Sequence, residues 1–210
     1  MRTEISLDFD GLTHQHAHFC LKNPNLFIGE HFSTIQYSNF SICQNHAETS
    51  IDIYNILSRM ARNNTYLNLG MGPGFLENLV DIHGKIDLES VEWIEQRENF
   101  SIIRKFMDID NRLTYDCNSI YDENFEIYNC NKKYDYILLI RFYPLNKASS
   151  NLDQVKILLN RLKKYSDKAI ICDSMSTNYN DDVLDYFKSI KPQYPILSND
   201  YFNIISLKDA

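Results

Sequence analysis

The hydrophobic positions of the chain follow two spacings from residue 64 onward. Short apolar runs predict β-strands, and apolar residues three and four positions apart predict amphipathic helices. The predicted strands of this part are residues 66–69, 90–95, 112–116, 134–141 and 168–172. One predicted helix begins after Gly74, and three others cover residues 97–107, 151–165 and 181–190. Strands that alternate with helices predict an α/β fold with a mostly parallel, Rossmann-like sheet.

The end of the chain predicts an exception to the parallel order. Residues 196–197 and 201–207 are two further apolar runs, and Ser198-Asn199-Asp200 between them is a turn sequence. We therefore expect a closing antiparallel hairpin. With its two strands the predicted sheet has seven.

Residues 1–64 have a different pattern. They contain five of the six histidines, two possible strands at 34–37 and 40–43, and a predicted helix at about 48–62. We predict that residues 1–64 form an N-terminal cap or lid and that residues 65–210 form the core domain.

Composition narrows the class of protein. Hydrophobic residues make up 44% and charged residues 23% of the 210 residues, which is typical of a globular protein. The longest aliphatic run, residues 137–140, is far shorter than the ~20 residues of a membrane span, so we expect no membrane association. The acidic N-terminal segment does not resemble an export signal. Five cysteines without a CxxC pair favour reduced thiols in a cytoplasmic protein and argue against a structural metal site.

The charge balance narrows the partners. Acidic residues outnumber basic ones by 28 to 21, and binding to a phosphate backbone relies on an excess of lysine and arginine. We therefore expect a small-molecule substrate and no nucleic acid. The sequence leaves homo-oligomer formation open.

Three of the six glycines, Gly70, Gly72 and Gly74, lie between a predicted strand and a predicted helix. Glycine at such a turn admits positive φ angles and lets a ligand approach the backbone. The following helix start directs free N–H groups toward that ligand. In open α/β sheets, ligands bind beyond the carboxyl ends of the strands.

The run Asn68-Leu69-Gly70-Met71-Gly72-Pro73-Gly74-Phe75 resembles motif I of the class I S-adenosylmethionine-dependent methyltransferases. The dinucleotide-binding pattern would need glycine at position 75, which is Phe75 here. The acid Glu95, the segment Tyr134-Asp135-Tyr136-Ile137 and the final hairpin also resemble that family. The resemblance implies an S-adenosylmethionine cofactor, with Asn68 and the three glycines in its binding loop. It further implies Glu95 at the ribose hydroxyls and Asp116 near the adenine.

Asn68 departs from the family pattern, which usually has an acid at this position. Asparagine can accept a hydrogen bond but supplies no negative charge for an ammonium or sulfonium group. Three possibilities remain open. Cofactor binding is weaker, another acid such as Glu77 or Glu48 compensates, or the cofactor has been lost.

The residues at the end of the fourth predicted strand, and just after it, are candidates for the part of the site where the reaction takes place. Arg141 can clamp a carboxylate or phosphate, and Tyr143 can orient a nucleophile. The alternative for both is an ordinary position at the sheet edge. The (Asp/Asn)-Pro-Pro-(Tyr/Phe) motif of amino-methyltransferases is absent.

The segment His14-Gln15-His16-Ala17-His18 places alternating histidines on one face of an extended strand. Such a face can bind a metal when a carboxylate joins it, or it can present a general base. A polar lid segment is the third possibility. We predict no metal site. His16 is the third candidate catalytic residue, beside Arg141 and Tyr143.

The function that these predictions favour is S-adenosylmethionine-dependent methyl transfer to a small-molecule acceptor. One alternative is a methyltransferase-fold binding module or partner subunit without catalysis. Another is an enzyme similar to the spermidine-synthase-like aminopropyltransferases. The β-hairpin and entry helix of those enzymes are faintly similar to residues 34–43 followed by Glu48 and Tyr54. Those enzymes carry an essential Asp where this chain has Arg141.

Overall fold

The computed structural model describes residues 49–60, 62–84, 86–95, 97, 104, 108–172, 179–191 and 202–210. Their six strands form one sheet. The strands are β1 (Thr65–Leu69), β2 (Asp87–Trp93), β3 (Leu113–Cys117), β4 (Tyr136–Ile140), β5 (Lys168–Cys172) and β6 (Phe202–Ser206). The α/β class and the Rossmann-like sheet predicted from the sequence are confirmed.

The strand order is β3-β2-β1-β4-β5-β6. Neighbouring strands are parallel except for β6, which is antiparallel to β5. The order therefore reverses between β1 and β4, and this reversal opens a crevice at the carboxyl ends of the strands.

The helices cover both faces of the sheet. They are α1 (residues 49–57), α2 (Phe75–His83), α3 (Tyr143–Lys147), α4 (Leu152–Leu162) and α5 (Asp181–Ser189). Asn151 and Asn180 cap α4 and α5 by accepting the backbone N–H three residues ahead. Such caps fix where a helix begins, because they satisfy an N–H group that has no partner within the helix.

Alternate side chains of the strands other than β3 enter two different cores. Leu67 and Leu69 of β1 pack with α3, α4 and α5 on one face. Tyr66 packs with α1 and α2 on the other, where Ile53 and Leu57 of α1 are buried. α1, which belongs to the predicted cap of residues 1–64, therefore packs on the core. Residues 1–48 lie outside the described residues, so the cap itself stays a prediction.

Two predicted strand ends need correction. β2 ends at Trp93, and Ile94 and Glu95 already have helical geometry, so Glu95 is not a strand residue. At this end of β2 the Trp93 side chain packs over Gly70 and stacks on the ring of Phe142. β3 continues to Cys117, which places Asp116 inside the strand.

The antiparallel strand at the end of the sheet is confirmed as β6. The other predicted strand of that hairpin, residues 196–197, lies outside the described residues. The count of seven strands is therefore not confirmed, since the described part of the chain contains six. In that part no helix is both long enough and apolar enough to cross a bilayer.

Candidate active site

A cavity of about 420 Å³ lies in the crevice at the strand reversal. Most of the predicted site residues line it, and they come from the ends of β1, β2 and β4. These residues are Asn68, Gly70, Gly72, Gly74, Glu95, Arg141 and Tyr143. The structure therefore brings together residues that are up to 75 positions apart in the sequence (143 − 68).

The loop from Gly70 to Gly74 forms one wall of the cavity and has a conformation suited to glycine. Gly70 and Gly74 both have a φ of 84°. A Cβ atom on Gly70 would lie 2.6 Å from Cζ3 of Trp93, and one on Gly74 would lie 2.5 Å from Cδ1 of Ile109. Both positions thus exclude a side chain for conformational and for steric reasons.

A buried acid and a buried arginine hold this loop in place. Oε2 of Glu92 accepts the Gly72 N–H at 2.8 Å, and Oε1 accepts the Trp93 N–H at 3.0 Å. Nη1 of Arg104 donates to the Gly72 carbonyl at 3.1 Å and lies 3.5 Å from Oε2 of Glu92. The N–H and the carbonyl of Gly72 are therefore each held by a charged side chain.

Sequence reasoning missed Glu92 and Arg104. Glu92 looked like one of three acids at positions 89, 92 and 95, and Arg104 looked like a polar residue beside the apolar stripe of the predicted helix 97–107. The available signal was their position. An acid near the end of a buried strand, next to the glycine loop, needs a hydrogen-bond or ion-pair partner.

Burial raises the pKa of Glu92 to about 7, against the opposing effect of the two backbone N–H groups and Arg104. The folded chain therefore holds this proton more tightly than the unfolded chain does. Between pH 4.5 and pH 7 the folded state binds more protons, so stability falls as pH rises through this window and levels off above it.

We expect Glu92→Gln to flatten this dependence. Its free energy of unfolding should lose about 2 kcal/mol less than that of the wild type between pH 5 and pH 7. Urea denaturation at several pH values measures the difference, with the exposed Glu126→Gln as the control that keeps the wild-type slope. Parallel curves for Glu92→Gln and wild type would contradict the assignment.

Asn68 also lines the cavity and belongs to a buried polar cluster. Its Nδ2 donates to Oε1 of Glu77 at 2.7 Å, and the hydroxyl of Ser90 donates to the same oxygen at 2.5 Å. Burial raises the pKa of Glu77, while these two hydrogen bonds and the charge of Arg112 oppose the rise. Of the two acids considered as compensation for Asn68, Glu77 is thus in direct contact with it. Glu48 lies outside the described residues.

Arg141 and Tyr143 follow β4 and also line the cavity. Arg141 has a φ of 46°, which is uncommon for a residue other than glycine. Its backbone N–H donates to the Cys172 carbonyl at 2.7 Å, and its Nε donates to the Thr49 hydroxyl at 3.1 Å. Tyr143 begins α3 with 42% of its surface exposed. Backbone strain at a cavity wall is a common feature of functional sites.

One predicted residue among those that the structure describes, Asp116, is not part of the cavity wall. Asp116 lies outside the lining and forms an ion pair with Arg97 at 2.6 Å. Ser119 and Tyr121, which follow β3, line the cavity instead. His16 and the neighbouring histidines lie outside the described residues, so their roles stay predictions.

Comparison with known proteins supports the fold. No protein-family model matches the sequence, and no curated protein does. Among solved structures, the chain is similar to a protein from Methanococcus maripaludis assigned as an S-adenosyl-L-methionine-dependent methyltransferase. The TM-score is 0.51 at 13% identity, over 98% of this chain and 97% of the other. The magnesium protoporphyrin IX methyltransferase of Synechocystis gives a TM-score of 0.49 at 12% identity, over 97% and 98%.

Other matching structures are much longer than this chain. It covers 46% of the mitomycin 7-O-methyltransferase MmcR (TM-score 0.47, 13% identity, 83% of this chain), so it spans about half of that protein. It likewise covers 51% of DesVI from Streptomyces venezuelae. From the strand order, the glycine loop after β1 and the similarity over the full length to the Methanococcus protein, the chain has the fold of the class I S-adenosylmethionine-dependent methyltransferases.

Proposed function

We propose that the protein is an S-adenosylmethionine-dependent methyltransferase that acts on a small-molecule acceptor. One observation carries the proposal. A glycine loop that excludes side chains at two positions opens onto a cavity at the strand reversal, and acids of the adjacent chain segment line the same cavity. The overall net charge of −7 favours a small acceptor over a nucleic acid.

The residues present fit the cofactor. The cavity volume of about 420 Å³ lies within the range of small-molecule sites. Glu92 and Glu95 both line it, but both oxygens of Glu92 already accept backbone N–H groups, those of Gly72 and Trp93. Glu95 is therefore the acid that we assign to the ribose hydroxyls. We assign the adenine side to Ser119 and Tyr121, with Asp116 as the alternative.

S-adenosylmethionine supplies a methyl group on a sulfonium, which an acceptor nucleophile can take directly. The contribution of the chain is mainly to position the acceptor and exclude water, which few side chains suffice to do. Arg141 and Tyr143 line the cavity after β4 and are the candidates for holding the acceptor. His16 stays the candidate base.

Calorimetric titration with S-adenosylmethionine, S-adenosylhomocysteine and NAD tests the proposal. We expect the two sulfur nucleotides to bind and NAD not to bind. Glu95→Gln should lower the affinity for S-adenosylhomocysteine about tenfold to a hundredfold, which corresponds to the loss of charge-assisted hydrogen bonds. Asp116→Asn is the matched control, and an equal loss there would return the adenine side to Asp116. If the wild type binds neither sulfur nucleotide, the proposal fails.

A second candidate function is cofactor binding without catalysis, as a binding module or partner subunit. Asn68 in place of the usual acid favours it. Methyl-labelled S-adenosylmethionine incubated with a small-molecule extract distinguishes the two functions. Transfer of label supports the enzyme, whereas tight binding without transfer supports the binding module. An aminopropyltransferase would instead transfer the aminopropyl group of decarboxylated S-adenosylmethionine and leave the methyl label on 5′-methylthioadenosine, and Arg141 at the end of β4 disfavours that reaction.

A further inference from the structure

We propose that Asn68 and Glu77 together form a subsite for a primary ammonium group, in which Glu77 supplies the negative charge. The inference rests on the proposed function, because the ammonium group is that of the methionine part of the cofactor. It assigns to Glu77 of α2 the role of the acid that is missing from the end of β1.

The main observation is a pair of buried acceptor atoms without donors. Oδ1 of Asn68 and Oε2 of Glu77 form no hydrogen bond with any residue of the described segments. Asn68 is 3% exposed and Glu77 is 1% exposed, and both line the cavity. A buried acceptor without a donor is costly, so a ligand that brings N–H groups is favoured there.

The arrangement of the cluster explains why the side chains of Asn68 and Glu77 are in contact. Asn68 of β1 and Ser90 of β2 are register partners, so their side chains lie on the same face of the sheet. The first turn of α2 crosses this face and brings in Glu77. Asn68 and Ser90 both donate to Oε1, which leaves Oε2 of the carboxylate for a third donor.

The electrostatic surroundings leave Glu77 in need of a cation. Among the residues that the structure describes, no lysine, arginine or histidine lies within ion-pair distance of it. The nearby Arg112 is paired with Asp81 at 2.8 Å. The amino-terminal end of α2 favours a negative charge at Glu77. An ammonium group offers three N–H donors and the matching positive charge.

The experiment compares two ligands that differ in the amino-acid part. S-adenosylhomocysteine carries the ammonium group, whereas 5′-methylthioadenosine lacks the whole amino-acid end. We expect Glu77→Gln to weaken binding of S-adenosylhomocysteine at least about tenfold and to change binding of 5′-methylthioadenosine less than about twofold. Glu126→Gln, which removes an exposed acid outside the cavity, is the control that changes neither.

Moving the charge provides a rescue. The double variant Asn68→Asp with Glu77→Gln returns a carboxylate to the end of β1, and we expect it to restore S-adenosylhomocysteine binding to within about threefold of the wild type. Restoration supports a requirement for charge at this place. A double variant as weak as Glu77→Gln would overturn the assignment of Glu77 as the source of that charge.

A measurement on the wild type keeps the proposal testable if Glu77→Gln does not fold. An analogue of S-adenosylhomocysteine with hydrogen in place of the amino group should bind at least about tenfold more weakly than the parent compound. Equal affinities would overturn the subsite. Equal losses of both nucleotide ligands in Glu77→Gln would also overturn it, because they would indicate a structural role.

The outcomes separate the two proposals. If the wild type binds 5′-methylthioadenosine but gains nothing from the amino-acid end, the subsite fails while cofactor binding stands. If the wild type binds neither nucleotide, the proposed function fails and the subsite fails with it.

Discussion

Arg104→Met is expected to lower the free energy of unfolding by about 3–5 kcal/mol, because it leaves a buried carboxylate without its cation. The Arg104 side chain is fully buried, and its guanidinium serves Glu92, Asp110 and two backbone carbonyls. Methionine fills a similar volume but can donate to none of them. The loss should be largest above pH 7, where Glu92 is ionised.

Urea denaturation at pH 8 measures this effect. The matched control is Arg112→Met, which breaks the half-exposed ion pair with Asp81 and should change stability by less than about 1 kcal/mol. Equal effects of the two substitutions would show that the Glu92–Arg104 network is not a distinct anchor of the glycine loop.

Gly70→Ala should lower the free energy of unfolding by about 3 kcal/mol, from two additive causes. A φ of 84° costs an L-residue about 1–2 kcal/mol. The new methyl group would also meet the rigid indole ring of Trp93, with Cζ3 at 2.6 Å and Cη2 at 3.2 Å, and such overpacking costs about 1–3 kcal/mol.

Gly72→Ala separates these causes. Gly72 also has a positive φ, of 54°, but a Cβ there would meet no atom within 4 Å. Only the conformational cost remains, so we expect a loss of about 1 kcal/mol. Denaturation midpoints of the two variants, with unchanged m values, give the comparison. A loss for Gly72→Ala as large as that for Gly70→Ala would contradict the steric part of the argument.

The sheet was predictable because its strands are short apolar runs between helices with a clear apolar stripe. The bounds of β5 were predicted without error, and α5 ends within one residue of its prediction. The strand order at the reversal was expected only from the resemblance to a known fold. It depends on which strands pair across 70 residues of sequence, and local patterns contain no information on that.

The site was predictable where backbone conformation decides the residue type. Gly70 and Gly74 are recognisable in sequence because few other residues adopt their φ angles. Glu92, Glu77 and Arg104 were harder, since a charged residue is usually a surface residue. Only the folded structure shows that all three are buried. Glu92 and Arg104 bond to Gly72, whereas Glu77 accepts from Asn68 and Ser90. The sequence pattern of Asp116 gave no warning that Arg97 binds it outside the cavity.

The pairing of β1 with β4 has a consequence for synthesis of the protein. The N–H of Thr65 bonds to the carboxylate of Asp135, so β1 gains its second neighbour only when the ribosome has added 70 more residues. At ordinary elongation rates this takes about 4–14 s. During that interval the buried strand Thr65–Leu69 has one unpaired edge, a known site of misassociation between chains. Protection of this edge in the nascent chain is therefore a requirement that the strand order imposes on the cell.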